Sequence, residues 1–314
     1  MILFRLIISI MMSIVLLLPF TQILAAENAS GDYFQGTYND FDVAVVPGPG
    51  FYFRNDVIYY NGKLNLAVFS GKVHNDAAMT MYLDIMKPAY FTNWMPFGGR
   101  YGFGANIPFL HAKLNSTTTI GSIDIRQTKQ VSGLSDIALL PVMLDWDLAN
   151  HQLFILFYEN IYTPTGQYKK TRPLNQGHGY YDFDTNIALT WLSANAMREL
   201  SFTLGYMINT ENHKIDYRTG HEMHLDFLLG QHLTKNFETA LTGYVYRQLT
   251  GDSGRGAVLG SFKGFGWGLG PALSYTIDIN KTHAIDVIAK YIRDINTRNR
   301  FKGNEVDIAA SANL

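Results

Sequence analysis

Residues 221–231 read HEMHLDFLLGQ, in which apolar side chains occupy every second position from Met223 to Leu229. The positions between them carry His224 and Asp226. Successive side chains of a β-strand point to opposite faces, so an extended chain here has one apolar wall and one polar wall. The same period of two recurs near residues 180–192, 265–279 and 284–292. The sequence therefore predicts a sheet with one apolar face and one polar face.

Short connections alternate with long ones between the segments of alternating polarity. Tight turns are predicted at 147–150, 195–197, 234–236 and 280–282. Long loops are predicted between them, at 164–179, 209–221, 250–263 and 296–303. Bacterial outer-membrane barrels have short periplasmic turns and long extracellular loops. The fold class is therefore predicted to be all-β, a transmembrane antiparallel up-and-down β-barrel.

About twelve strands are predicted, and ten or fourteen are the alternatives. They lie near 51–61, 78–94, 98–116, 133–146, 150–163, 178–194, 198–212, 221–235, 237–250, 262–280, 283–297 and 303–314. A soluble β-sandwich would also alternate, but these segments exceed the usual strand length of about five or six residues. Trp94, Trp146 and Trp191 also fall close to predicted tight turns, as an aromatic girdle at one membrane interface requires.

Composition narrows the functional class. The 314 residues include 25 basic and 26 acidic side chains, so no broad basic surface for nucleic acid is expected. The chain has no cysteine, which excludes disulfides, thiolate metal sites and cysteine nucleophiles. Beyond residue 26, no apolar run reaches the roughly 18 to 20 residues of a spanning helix.

The first residues are typical of a secretory signal peptide. Arg5 precedes an apolar run over 6–20, and Ala25 and Ala26 offer small residues for cleavage. A permanent anchor helix is the alternative. We predict a cleaved signal peptide over 1–26, a periplasmic N-terminal tail over 27–50 and an outer-membrane barrel over 51–314.

Two short motifs resemble catalytic patterns but lack the other features that those patterns need for catalysis. Residues 251–254 (GDSG) match a protease nucleophile turn, but they lie in a predicted loop and no histidine motif accompanies them. Residues 221–224 (HEMH) space their histidines three apart on a predicted strand, where the two side chains face opposite sides. We therefore predict no enzyme activity, no catalytic residues, no metal site and no cofactor.

Polar residues on the inward faces are the candidates for a solute channel. A charge on the lipid face near the midplane costs roughly 2 to 4 kcal/mol, so charged residues of these strands are expected to face the lumen. The side chains of Tyr244 and Tyr246 could face the lumen or form an outer girdle. The predicted lining residues are Asp182, Asp184, Asn186, His224, Asp226, Tyr244, Tyr246, Gln248, Asp286 and Lys290.

An ordered set of short motifs over residues 47–314 resembles a known family, the meta-pathway of phenol degradation proteins, also described as SphA-like outer-membrane transporters. The set comprises 133–136 (GLSD) with Pro141, 164–166 (PTG) with Tyr168, Asn175 with Gly177 and Gly179, 205–206 (GY), 211–212 (EN), 216–218 (DYR) with Gly220, Glu222 and His224, 243–244 (GY) with Tyr246 and Gln248, 252–254 (DSG), and Gly268 with 270–271 (GP). The resemblance implies an outer-membrane barrel for passive uptake of small hydrophobic, including aromatic, compounds.

Two other functions fit the same sequence. A structural or surface-interaction barrel would use loops near 169–172 and 298–302 to contact partners. An outer-membrane phospholipase would need Ser253 and His224 to meet at one rim. The expected partners are outer-membrane lipid and lipopolysaccharide, the barrel-assembly machinery through the C-terminal strand, and hydrophobic solutes.

Overall fold

The computed structural model describes residues 31–46, 48–68, 72–280 and 283–313. The predicted signal peptide, residues 1–26, lies outside the described residues. Regular structure within them is β, apart from one 3-10 turn at Pro96–Gly98. No helix in this part of the chain is long and apolar enough to cross a membrane.

Thirteen strands follow one another along the described chain. They are β1 (Gly50–Val68), β2 (Val73–Phe91), β3 (Arg100–Ile120), β4 (Ile123–Leu134), β5 (Ile137–Leu148), β6 (Leu153–Thr163), β7 (Asp182–Leu192), β8 (Arg198–Asn209), β9 (Glu222–His232), β10 (Phe237–Gln248), β11 (Phe265–Asp278), β12 (Ala284–Arg298) and β13 (Lys302–Asn313).

Antiparallel pairing closes the sheet into a barrel, because β1 pairs with both β2 and β13. Beside β3, residues 100–106 pair with β5 and residues 109–120 pair with β4. Thus β4 and β5 follow one another along the same edge of β3. Twelve strands form the closed barrel and β4 is an extra strand, which confirms the predicted fold class and strand number.

The hairpin of β3 and β4 differs from the sequence prediction. The sequence predicts that one strand ends at residue 116 and that the next strand begins at residue 133. In the structure β3 continues to Ile120 and β4 starts at Ile123. Gly121 occupies the first turn position with a φ of 60°, a left-handed conformation that glycine adopts without strain. Residues 115–130 carry polar side chains on both faces, so no alternation of apolar and polar residues identifies them as strands.

The two rims of the barrel differ in connection length. One rim has short connections at 149–152, 193–197, 233–236 and 279–283, and it also holds the start of β1 and the end of β13. The opposite rim has long loops at 164–181, 210–221 and 249–264. The short rim is therefore periplasmic and the long rim extracellular. The long loop predicted at 296–303 is wrong, because only residues 299–301 join β12 to β13.

The outer wall is apolar where β5 to β13 alternate. In β9, Leu225 and Leu229 are exposed on the barrel surface, while Asp226 between them is completely buried. Trp191 and Tyr275 are exposed close to the periplasmic rim, as a girdle at the lipid headgroups requires. This arrangement pairs the twelve strands of the closed barrel with one another and presents apolar side chains to lipid.

Candidate functional site

Residues 31–46, the inner segment, run through the interior of the barrel. At the extracellular end, Asp32 pairs with His178 of the 164–181 loop, with 2.9 Å between Oδ1 and Nδ1. At the periplasmic end, the Val46 carbonyl accepts a 3.2 Å hydrogen bond from Arg100 at the start of β3. The predicted periplasmic tail is therefore wrong for residues 31–46, which lie inside the barrel.

A histidine between two aspartates anchors the extracellular half of the inner segment. His224 Nδ1 lies 2.8 Å from Asp226 and Nε2 lies 3.2 Å from Asp184. Carboxylate oxygens only accept, so both ring nitrogens donate. The Tyr33 hydroxyl donates to Asp226 at 3.1 Å, and its ring stacks on His224 at 4.2 Å. Tyr38 donates to Asp184 at 2.9 Å, which completes the buried network.

A cluster of ion pairs holds the middle of the inner segment. Lys290 Nζ donates to the Gly36 carbonyl at 2.7 Å and to Asp40 at 2.9 Å. Lys290 also pairs with Asp307 at 3.0 Å on the neighbouring strand. On the other side, Arg54 pairs with Asp40 at 2.8 Å. Each of these four charged side chains has a partner of opposite sign, as burial in an interior of low polarity demands.

Backbone hydrogen bonds fix the periplasmic half. The Asp42 N–H donates to Glu199 at 2.8 Å, and the Ala44 N–H donates to the Thr190 hydroxyl at 3.1 Å. The segment therefore contacts the barrel wall along its whole length.

All ten predicted lining residues face the interior, nine of them buried and Asp286 half-buried. The orientation of Tyr244 and Tyr246, which the sequence leaves open, is inward. Most of the set contacts the inner segment or loop residues. Tyr246 stacks on Tyr33 at 5.5 Å, Tyr244 donates to Asp294, and Gln248 donates to Asp252. Their role as a channel lining stays a prediction.

A cavity of about 680 Å³ lies beside the inner segment, along the wall formed by β1 to β6. Its lining extends from His178 at the extracellular end to Phe91 at the periplasmic end. Of the ten predicted residues, Asp286 borders it. The volume falls in the range of about 300–1,000 Å³ typical of small-molecule sites. The apolar side chains around it include Met79, Met81, Leu83, Ile85, Leu110, Leu140, Met143 and Leu156.

The apolar wall of the cavity comes from an inversion of the usual barrel pattern. In β2 the buried inward positions are apolar, from Ala77 through Met81 to Ile85. The outward positions between them include Thr80 and Asp84. Outer-membrane barrels normally place polar side chains inside and apolar ones outside. The sequence 77–85 (AAMTMYLDI) contains this alternation, but a period of two does not say which face is which.

Solved structures with similar folds are outer-membrane barrels. An outer membrane channel from Pseudomonas putida F1 superposes with a TM-score of 0.66 at 11% identity, covering 89% of this chain and 98% of that one. The NanC porin superposes with a TM-score of 0.43 at 12% identity, covering 83% of this chain and 100% of that one. The transport unit of the autotransporter AIDA-I from Escherichia coli superposes with a TM-score of 0.46 at 10% identity, covering 85% of this chain and 91% of that one. No curated protein sequence matches the chain.

The family comparison covers most of the chain. Residues 66–308 match the family described as MetA-pathway of phenol degradation. The fold is that of an outer-membrane β-barrel, and it places the chain in the outer membrane with many spanning strands. The chain therefore belongs to the MetA-pathway of phenol degradation family, as the resemblance of its motifs predicts.

Proposed function

We propose that this barrel is a passive uptake channel for small hydrophobic compounds, including aromatic ones such as phenols. The apolar cavity between the inner segment and strands β1 to β6 carries the proposal. Its walls suit a solute that partitions out of water, because burying apolar surface yields about 25 cal/mol per Å². The cavity lining includes residues near both rims of the barrel, which is the extent that the proposed route needs.

Charge at the cavity favours neutral solutes. Arg54 and Lys87 border the cavity, but both pair with Asp56, at 2.6 Å and 3.0 Å respectively. Arg54 also pairs with Asp40 of the inner segment at 2.8 Å, so neighbouring carboxylates of the wall and of the inner segment balance these cations. A neutral aromatic molecule therefore needs no counter-charge beside these residues, whereas an anion would lose its hydration without meeting an unpaired arginine or lysine.

Assembly forms a second part of the proposal. Strand β13 ends the barrel and pairs with β1, so closure depends on the C-terminal strand. We infer that the barrel-assembly machinery recognises this strand. Solute would pass through the barrel after assembly, once the inner segment lies in the lumen.

Replacing Met81 with aspartate tests the proposed route. Met81 is buried against the cavity, so a carboxylate at this position would bring hydration water into an apolar passage. We expect the initial uptake of a scarce radiolabelled alkylphenol to fall at least about tenfold, which corresponds to roughly 1.4 kcal/mol. The measurement is made in a deletion strain that expresses the variant.

The matched control is Thr80→Asp, because Thr80 precedes Met81 in β2 and faces outward between Asn61 and Lys113, where the outer wall is polar. This variant should restore uptake to the wild-type rate. Wild-type uptake by Met81→Asp would show that the solute does not pass through the cavity. Parental uptake by the deletion strain itself would contradict the transport function.

A further inference from the structure

Three metal-ligating side chains meet where the inner segment reaches the extracellular rim. One ligand atom each from Asp32, Asp136 and His178 lies within 4.8 Å of the other two. His178 Nδ1 is 2.9 Å from an Asp32 oxygen and 3.6 Å from an Asp136 oxygen. The three residues come from the inner segment, the junction of β4 and β5, and the 164–181 loop, so the fold alone brings them together.

Backbone contacts hold Asp136 in position. Gly166 N–H donates to Oδ1 at 2.8 Å, and His178 N–H donates to Oδ2 at 2.6 Å. Gly177 lies so close that a Cβ at this position would collide with the Asp136 carboxylate. The glycine therefore lets the loop close over the carboxylate. This residue is fixed before any ligand arrives, as a metal site requires.

A third carboxylate points to a bound cation. Asp182, at the start of β7, is 1% exposed, and neither of its carboxylate oxygens has a hydrogen-bond partner among the described residues. It faces the Asp32 carboxylate, whose buried Oδ2 also has no such partner. Two facing carboxylates repel each other, and a buried polar atom without a partner calls for an explanation.

We propose that Asp32, Asp136 and His178 bind a divalent transition-metal ion, with the buried Asp182 carboxylate beside Asp32 adding negative charge next to the ion. One imidazole nitrogen with carboxylate oxygens is a donor set for ions such as Mn²⁺, Fe²⁺ or Zn²⁺, whereas Ca²⁺ prefers oxygen donors alone. The ion would neutralise the carboxylates and fasten the inner segment to the 164–181 loop. Asp32, Asp136 and His178 also border the cavity, so the ion would fix the shape of its extracellular end.

Mn²⁺ binding to the refolded, chelator-treated protein tests the site. Bound Mn²⁺ loses the six-line electron paramagnetic resonance signal of the free ion, and Mn²⁺ binds weakly to isolated surface histidines. We expect one Mn²⁺ per barrel, and competition by Zn²⁺. Asp182→Asn should weaken binding by at least about tenfold, since it removes a negative charge beside the ligand Asp32.

His213→Gln is the matched control. His213 also pairs with a carboxylate in an extracellular loop, 3.1 Å from Glu211, but it is exposed. This variant should bind Mn²⁺ like the wild type. Where Asp182→Asn fails to fold, as judged by its gel mobility without heating, His178→Gln replaces it.

Two results would overturn the proposal. If neither Mn²⁺ nor Zn²⁺ binds stoichiometrically to the wild type, the His178 imidazolium alone balances the carboxylates. If Mn²⁺ binds but Asp182→Asn and His178→Gln bind it equally well, the ion lies elsewhere. Neither result bears on solute uptake, which is measured separately.

Discussion

Deletion of residues 31–46 is expected to convert the barrel into an open ion-conducting pore. The inner segment fills the lumen between the polar walls of β7 to β13, where Tyr33, Tyr38 and Asp40 replace water as partners of the wall. Without these residues, water would hydrate the exposed Asp184, Asp226 and Lys290 side chains. A continuous column of water across a barrel conducts ions, whereas an apolar cavity does not.

Single-channel recording in a planar bilayer measures this change. The full-length protein should give no resolvable steps, and the variant that lacks residues 31–46 should give discrete steps. A variant that lacks residues 256–260, within the 249–264 loop, is the control and should stay silent. Steps from the loop variant, with silence from the segment deletion, would show that extracellular loops close the barrel.

Replacement of His224 with alanine should destabilise the barrel strongly. The change removes the donor between Asp184 and Asp226 and leaves two buried carboxylates close together. Removing one partner from a buried charge pair costs about 3–5 kcal/mol. The temperature at which the folded band disappears on an SDS gel should therefore fall well below that of the wild type.

His221→Ala provides the comparison for this variant. His221 precedes β9 by one residue, is half-exposed, and contacts Tyr206 at 2.6 Å on the outer side. Its loss should leave the melting temperature almost unchanged. Equal melting of the His224→Ala variant and the wild type would mean that the buried network contributes little to stability.

The alternating strands from β5 to β13 could be predicted because lipid and lumen impose opposite polarities on neighbouring residues. In β9 the inward residues His224 and Asp226 carry charge, so a period of two shows both the strand and its orientation. In β2 the period is equally clear, but Met81 and Leu83 face inward and Asp84 outward. Only the location of the cavity explains that inversion, and the cavity depends on the whole fold.

The inner segment illustrates a second limit of sequence-based prediction. Its residues are not those of a solvated tail, since Tyr33, Phe34, Tyr38 and Phe41 fall within nine positions. That aromatic content was a usable signal for burial. Its location could not be predicted, because the segment makes isolated side-chain contacts with many strands instead of pairing with one. The same reason hides the Asp32, Asp136 and His178 cluster, whose members lie far apart in the chain.

A disulfide cross-link tests most directly whether the inner segment lies in the lumen. The chain has no cysteine, so Ala44→Cys and Thr190→Cys introduce the only two thiols. The Ala44 N–H donates to the Thr190 hydroxyl at 3.1 Å, which brings the two side chains to neighbouring positions. Mild oxidation of intact outer membranes, followed by mass spectrometry of the peptides, measures the extent of cross-linking.

The predicted result is near-complete cross-linking of residues 44 and 190. The control pair is Ala44→Cys with Ser253→Cys, which places the second thiol in the 249–264 extracellular loop, and this pair should not cross-link. Free thiols in both pairs, in barrels that are folded by gel mobility, would contradict an inner segment seated in the lumen.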